Sequence, residues 1–326
     1  MSEPLRRRRI LVTGGTGTLG YNILSQLAGV ADYTVIAPIR NMHRVGDELR
    51  GKVQFIEHEL GDPIHTAQIF ERVNPDVIVH CAASGLRLPR TSWFDLMQFN
   101  VESTMRLFQM NCRFDHHSHF IYISTGLVYR EQPHPLVESD PIESLHPYGA
   151  SKAAGDALLQ AAAAEFQRSL TILRPFAFTG LHDGGERLFP RILKAADSRE
   201  AMPMTAGTQI RDFCSVDDIA RAVLMAIERK PSQLIEKFNL GSGCSIPLRD
   251  LVTKVCSELG ITPELRFGEV PMHPYEPHHS VADITSARKT LGWEPRHNLS
   301  HAVWELARQT HPTLVCKEPE RDARPL

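Results

Sequence analysis

The chain has 326 residues, 42% of them hydrophobic and 23% charged, which is ample to bury a core of one large domain or one and a half. Its 36 basic and 38 acidic residues leave a net charge of −2, so no global field recruits nucleic acid or an anionic membrane surface. Six scattered cysteines without a C-x-x-C pair read as reduced thiols of a cytoplasmic protein, and no apolar run approaches a membrane span.

The four arginines Arg6–Arg9 read as a solvated entry to the first strand. From there strands and helices alternate. "RILVTGG" is a short apolar strand running into glycines, and "TLGYNILSQLAGV" has helical apolar spacing at Leu19, Ile23, Leu24 and Leu27. "YTVIAPIR" and "KVQFIEHEL" are strands, and "IHTAQIFERV" is a helix. "PDVIVHCAAS" is a buried strand ending in small residues, and "FDLMQFNVESTMRLFQMNC" reads as one long helix. "HFIYISTGLVY" is a strand, "PYGASKAAGDALLQAAAAEF" a helix, and "LTILRPFAF" a strand again. The alternation predicts right-handed βαβ units on a doubly wound parallel sheet of the Rossmann type, covered on both faces. Beyond residue 180 prolines increase and elements shorten, which predicts a smaller substrate-binding α/β region. The expected division is 1–180 for the Rossmann domain, 181–315 mainly for the substrate region with some elements returning to the first, and 316–326 for a charged tail. The loop "MHPYEPHHS" gathers His273, His278 and His279, but no thiol or acidic frame for a metal accompanies them, and no metal is expected.

"TGGTGTLG" places Gly14, Gly17 and Gly20 between the first strand and the first helix, and Gly15, Gly17 and Gly20 also satisfy G-x-G-x-x-G. Glycine permits the tight turn and the close backbone approach to a pyrophosphate, and the helix N-terminus supplies N–H groups and partial positive charge. At the first strand–helix junction of a βαβ series this context predicts dinucleotide binding through Gly14, Thr16, Gly17, Thr18 and Leu19. The second strand ends without the carboxylate that commonly accepts hydrogen bonds from the 2′-hydroxyl of NAD; Pro38, Ile39, Arg40 and Asn41 stand there instead. A guanidinium suits a 2′-phosphate, so Arg40 favours NADP(H), with NAD(H) the alternative.

Tyr148 precedes Lys152 by four residues, on one face of a helix. A tyrosine titrates near pH 10. A lysine cation one turn away, with a nicotinamide's positive charge, favours the phenolate and suits it to move a proton while hydride moves. Ser124 and Thr125, at the end of the preceding strand, offer hydroxyls to a substrate oxygen.

With these residues in place, the chain resembles the extended short-chain dehydrogenase/reductases, which include nucleotide-sugar epimerases, dehydratases and 4-ketoreductases. The resemblance covers about residues 8–308 and rests on the joint order of "TGGTGTLG", "VIVHCAAS", "FNVESTMRLF", "YISTGLVY", "PYGASK", "LRPFAFTG", "IRDFCSVDDIA", "FNLGSG" and "LGWEP". It implies Tyr148 as acid/base, Lys152 as its partner and nicotinamide-ribose contact, and Thr125 as the hydroxyl of the trio, with Ser124 beside it toward the substrate. It also implies cofactor contacts at Glu59, Leu60, Ala82, Ala83, Ser84 and Asn100, and a nucleotide-diphosphate contact at Arg211. Where 4,6-dehydratases of the family carry an acidic pair after the threonine, this chain has Gly126 and Leu127, which argues against dehydration. Ala177 and Thr179 also depart from the family's usual Asn-Val-Tyr-Gly segment. The reading that follows is an NADP(H)-dependent 4-ketoreductase of a nucleotide-activated 6-deoxy sugar. The alternative is an NAD-dependent nucleotide-sugar 4-epimerase, and a non-catalytic dinucleotide-binding regulator stands third. The family also implies a homodimer through the helices that hold Asn100 and Tyr148.

Overall fold

A computed structural model of the protein describes residues 6–58, 62–85, 92–113 and 118–321. In the first half run β1 (Arg8–Thr13), α1 (Thr18–Leu27), β2 (Tyr33–Ile39), β3 (Gln54–Glu57), α2 (Pro63–Val73), β4 (Val77–His80), α3 (Trp93–Leu96), α4 (Ser103–Arg113), β5 (His119–Ile123), α5 (Pro147–Phe166) and β6 (Leu170–Pro175). Shorter elements follow: β7 (Ala177–Thr179), α6 (Leu188–Ser198), β8 (Met202–Met204), β9 (Ile210–Arg211), β10 (Phe213–Ser215) and α7 (Val216–Glu228). The chain continues through β11 (Ile235–Leu240), β12 (Ile246–Pro247), α8 (Leu248–Leu259), β13 (Leu265–Phe267), β14 (His279–Ser280) and α9 (Leu299–Thr310).

Seven strands form one sheet in the order β11-β6-β5-β4-β1-β2-β3, and β3, β2, β1, β4, β5 and β6 pair in parallel. This is the doubly wound Rossmann architecture that the alternation predicts. The order reverses between β1 and β4, so a crevice opens at the carboxyl ends of those strands, where ligands of such folds bind. β4 and β5 are buried at every residue, as strands covered on both faces must be. On one face, Ile78, Phe120, Tyr122 and Ile172 meet Phe70 of α2, Leu107 and Phe108 of α4, and Leu159 and Ala163 of α5. The small residues of α5 let it lie close to the sheet: a Cβ on Gly155 would come within 2.6 Å of the Tyr122 hydroxyl.

The stretch read as one long helix is not uniform. A π-helical segment, Met97–Glu102, separates α3 from α4. Its residue Asn100 is fully buried, and its carbonyl accepts the Thr104 hydroxyl at 2.9 Å. Sequence periodicity averages over such a local widening and does not reveal it.

The chain divides into two compact units, neither continuous in sequence. The first comprises residues 1–128, 147–174 and 220–238, and the second 129–146, 175–219 and 239–326. The linear boundary at residue 180 thus gives way to an interleaved one, with 220–238 in the sheet unit and 129–146 in the other. The second unit has its own core, in which Phe189, Ile192 and Leu193 of α6 pack with Leu251, Val252 and Val255 of α8 and Leu306 of α9. Two buried carboxylates organise its loops. Asp212 accepts the backbone N–H groups of Ser242, Gly243 and Ala282, and Asp218 accepts those of Arg296 and His297. Asp217 and Asp218 read as N-terminal charges of α7 from sequence; Asp218 is also a loop clamp, and its carbonyl accepts the buried Trp293 indole N–H at 2.8 Å.

In the sheet unit, Glu236 of β11 pairs with Arg229 and accepts both N–H and O–H from Ser232. Burial pushes its pKa up, but these hydrogen bonds outweigh burial and hold it at about 2, below the ordinary 4.5. A carboxylate lowered on folding contributes stability above its unfolded pKa and loses it as pH falls toward the folded value. Denaturant midpoints are therefore expected to drop between pH 4.5 and pH 2. Glu236→Gln is expected to flatten that dependence and to lower the midpoint at neutral pH.

Candidate active site

The crevice is shaped by glycine. Gly14, immediately after β1, has φ +72°, and a Cβ there would lie 2.6 Å from the Ala82 nitrogen. Only a residue without a side chain admits that backbone conformation and that approach. Gly20, in the first turn of α1, lies so close to the Gly14 carbonyl that a Cβ would clash with it. Gly17 caps α1 without a side-chain hydrogen bond, and its N–H donates to the Gly14 carbonyl at 3.0 Å. The result is a helix N-terminus open at the switch point, the arrangement that binds a pyrophosphate.

A cavity of about 270 Å³ occupies this place in the sheet unit. Gly14, Gly15, Thr16 and Gly17 line it at one side, and Cys81, Ala82, Ala83 and Ser84 line it at another. Arg40 lines it as the sequence leads one to expect, and Arg44, which sequence reasoning missed, stands with it. No carboxylate occurs among the described lining residues. Thr18 and Leu19 begin α1 and are not part of the lining. Glu59 and Leu60 lie outside the described residues.

Asn100, expected at the cofactor, is fully buried and bonded to its protein neighbours. Its amide nitrogen donates to the Ser84 carbonyl at 2.8 Å and to the Ser151 hydroxyl at 2.9 Å, while its amide oxygen accepts the Ser84 N–H at 2.8 Å. Ser151 in turn donates to the Tyr148 carbonyl at 2.8 Å. The buried Asn100 side chain therefore ties the cavity wall at Ser84 to the first turn of α5. The π-helical segment gives Asn100 this position, and nothing in the apolar pattern signals it. A second strut, the buried His80, bridges the Thr13 hydroxyl at 2.7 Å and the Thr104 hydroxyl at 2.9 Å. Burial and the nearby Lys152 cation push the His80 pKa down to about 3, so the ring is neutral.

Tyr148 is half-buried in the first turn of α5. One turn on, Lys152 is fully buried, its Nζ 4.0 Å above the centre of the Tyr122 ring, and that ring stacks on His80. The Lys152 Nζ has no hydrogen-bond partner among the described residues. Burial pushes its pKa down to about 8, against the opposing influence of Asp156 and Cys81. An ammonium stripped of water and without acceptors is costly, and a ligand that brings hydroxyls relieves it. Together with the cradle that a Cβ would fill, this donor set fits the ribose and pyrophosphate of a nicotinamide dinucleotide. Thr125 is 8% exposed, and its hydroxyl accepts the Leu127 N–H at 3.2 Å, which leaves its proton for a substrate oxygen. The short turn that follows it, Gly126–Val128, packs on α5. Ser124, expected to face substrate, is 4% exposed, with its hydroxyl buried.

Arg211 belongs to the second unit. It lines a cavity of about 340 Å³ together with Arg191, Gln209, Phe213 and Glu276, and it is paired with Glu276 at 2.5 Å.

A glycine-walled crevice at the sheet's switch point, with a Tyr/Lys pair on the helix after β5, defines a nicotinamide-dependent oxidoreductase of the short-chain type. The model of the NAD dependent epimerase/dehydratase family matches residues 10–241, and the chain belongs to that family. It is 29% identical over 313 residues to the UDP-glucose 4-epimerase of Streptomyces lividans, covering 88% of this chain and 91% of that protein. It is 28% identical over 313 residues to the dTDP-6-deoxy-L-talose 4-dehydrogenase (NAD(P)+) of Kitasatospora kifunensis, covering 91% and 94%. Among solved structures it is similar to UDP-glucuronic acid 4-epimerase from Bacillus cereus in complex with UDP-glucuronic acid and NAD, with a TM-score of 0.83 and 26% identity over 91% of this chain and 97% of that one.

A methyl group at Gly20 meets backbone rather than a flexible side chain, so it cannot be relieved locally. Gly20→Ala is expected to weaken dinucleotide binding by more than about tenfold, measured by quenching of protein fluorescence on titration with NADH, with the circular dichroism of the sheet retained.

Proposed function

We propose that the protein is a nucleotide-sugar 4-epimerase that works with a retained NAD. The observation that carries this reading is the buried Lys152 ammonium one turn from Tyr148 at the edge of a dinucleotide crevice. The full-length likeness to 4-epimerases supports it. A nicotinamide dinucleotide held by the Gly14–Gly17 turn and Lys152 would supply a reversible hydride acceptor for the sugar carbon. Tyr148 takes the proton of the 4-hydroxyl as that carbon is oxidised and gives it back when the keto group is reduced on the other face. Lys152 holds the phenolate and the ribose, and the Thr125 hydroxyl steadies the sugar oxygen. Arg211 is assigned to the nucleotide diphosphate. Gly126 and Leu127, beside Thr125, supply no acid or base, so these two positions cannot perform the elimination of water.

One observation favours a second reading. Arg40 and Arg44 both line the cavity and no described lining residue is a carboxylate, a charge pattern suited to the 2′-phosphate of NADP(H). With an exchangeable NADPH the same trio would reduce a 4-keto-6-deoxy nucleotide sugar once per turnover. A homodimer accords with either reading: Trp93 and Phe94 of α3, Met97 beside it and Leu158 of α5 expose apolar side chains on the helices expected to pair. A cytoplasmic location is part of the same proposal.

The nucleotide released by heat from purified protein decides between the two. Stoichiometric NAD, with interconversion of UDP-glucose and UDP-galactose or of their uronic acids, is the expected result. An empty site that prefers NADPH, and loses that preference in Arg40→Ala and Arg44→Ala, establishes the reductase. In either case Tyr148→Phe is expected to lower kcat by about 10²–10⁴-fold and to leave the dinucleotide Kd within about twofold, since the phenol is not needed for binding energy.

A further inference from the structure

Tyr148, Lys152 and Asp156 recur at every fourth position of α5 and so share one face of the helix. Asp156 is fully buried and so is Arg174 of β6; the Asp156 Oδ2 accepts from the Arg174 Nε at 3.0 Å and forms an ion pair with its Nη2, also 3.0 Å away. A guanidinium does not lose its proton in a protein. Were Asp156 neutral, Arg174 would be a buried cation without a counter-charge, which is far costlier than the ion pair. Burial pushes the Asp156 pKa up, while Arg174 and Lys152 pull it down, and the undischargeable guanidinium decides in favour of the carboxylate.

This pair faces a lysine with no other anion among the described residues. The charged and titratable groups around Lys152 are Asp156 and Tyr148 on its own helix, Tyr122 on β5, and His80 and Cys81 at the end of β4, with Arg174 on β6 behind Asp156. His80 is neutral, and burial pushes the Cys81 thiol up to about 12, so neither carries charge at neutral pH. Tyr122 supports the ammonium with its ring face, an attraction that depends on the lysine staying charged. Asp156 is then the only fixed negative charge among the described groups that act on Lys152.

We propose that Asp156 is a positioning residue for the Tyr148/Lys152 pair: locked to Arg174, its carboxylate keeps Lys152 charged in a dry site and thereby sets how readily Tyr148 gives up its proton. The inference rests on the assignment of Tyr148 as acid/base, but not on which sugar reaction it serves. The sign of the effect is diagnostic. If Asp156 acted on Tyr148 directly through space, its removal would make the phenolate easier to form. If it acts through Lys152, its removal lets the lysine lose its proton earlier, and Tyr148 must ionise beside a neutral amine, which makes the phenolate harder to form.

The test needs no substrate. Ultraviolet difference absorbance of tyrosinate, taken as each protein minus its Tyr148→Phe counterpart in the NAD-loaded form, reports the ionisation of Tyr148 alone. In the wild type the midpoint is expected below the ordinary tyrosine range near pH 10. In Asp156→Asn it is expected to rise by about one pH unit or more, and in Asp156→Glu to return toward the wild-type value. Asp156→Asn leaves Arg174 unpaired, so Asp156→Asn/Arg174→Gln, which removes both buried charges, is measured beside it and is expected to show the same upward shift. A midpoint that stays put or falls in the folded variants overturns the proposal. A wild-type midpoint at the ordinary value overturns it even if neither variant folds. A protein that passes this titration but converts no nucleotide sugar would refute the epimerase and reductase readings and leave the role of Asp156 standing.

Discussion

The burial of one ammonium group governs the architecture around the candidate site. Lys152 sits at zero exposure inside the sheet unit, beside the apolar cluster that covers one face of the sheet. A lone charge in such a place would normally discharge or be expelled. It is retained because the surroundings are arranged for it: an aromatic face below, a neutral imidazole behind that face, and a carboxylate one turn along the same helix. Gly155 is the residue that allows the aromatic support to reach the helix, since a side chain there would strike the Tyr122 hydroxyl. Local sequence, helix packing and electrostatics therefore meet at a single nitrogen.

A second constraint is the approach of two backbones, β1 to β4, across the switch point of the sheet. The contact of Gly14 with Ala82 and that of Gly20 with Gly14 are made between main-chain atoms, so they leave the phosphate turn little freedom once the strands are paired. The His80 and Asn100 bridges extend that rigidity from β1 through β4 to α4 and α5. The site is thus preorganised by hydrogen bonds among buried groups rather than by surface ion pairs, whose contributions are small and screened.

Much of this was legible in the sequence. Apolar runs ending in glycine or small residues marked β1 and β4, and the fourfold spacing of Tyr148 and Lys152 marked the helix that carries them, because each signal depends only on local geometry. The burial of the Ser124 hydroxyl was not foreseen, because a strand end offers two adjacent hydroxyls and only packing decides how deep each one sits. The links from Asn100 to Ser84 and Ser151 were not foreseen, since the local π geometry that turns it toward them leaves no trace in a hydrophobic period. Arg44 and Arg174 come into play only through tertiary contacts, and no spacing rule links Arg174 to Asp156 eighteen residues earlier. Which segments interleave between the two units was not legible, because that is a property of which segments touch and not of any segment's composition.

That interleaving constrains how the chain can be made. The strand β11, which closes one edge of the central sheet beside β6, is supplied by residues 235–240, after the chain has already laid down α6 and β7–β10 of the other unit. During synthesis β6 therefore leaves the ribosome with one edge unpaired and keeps it so while roughly sixty further residues are added. An open, apolar edge strand is a template for pairing with another chain. An aggregation-prone interval thus falls within the protein's own translation, and a ribosome that stalls between β6 and β11 would expose that edge for as long as it paused.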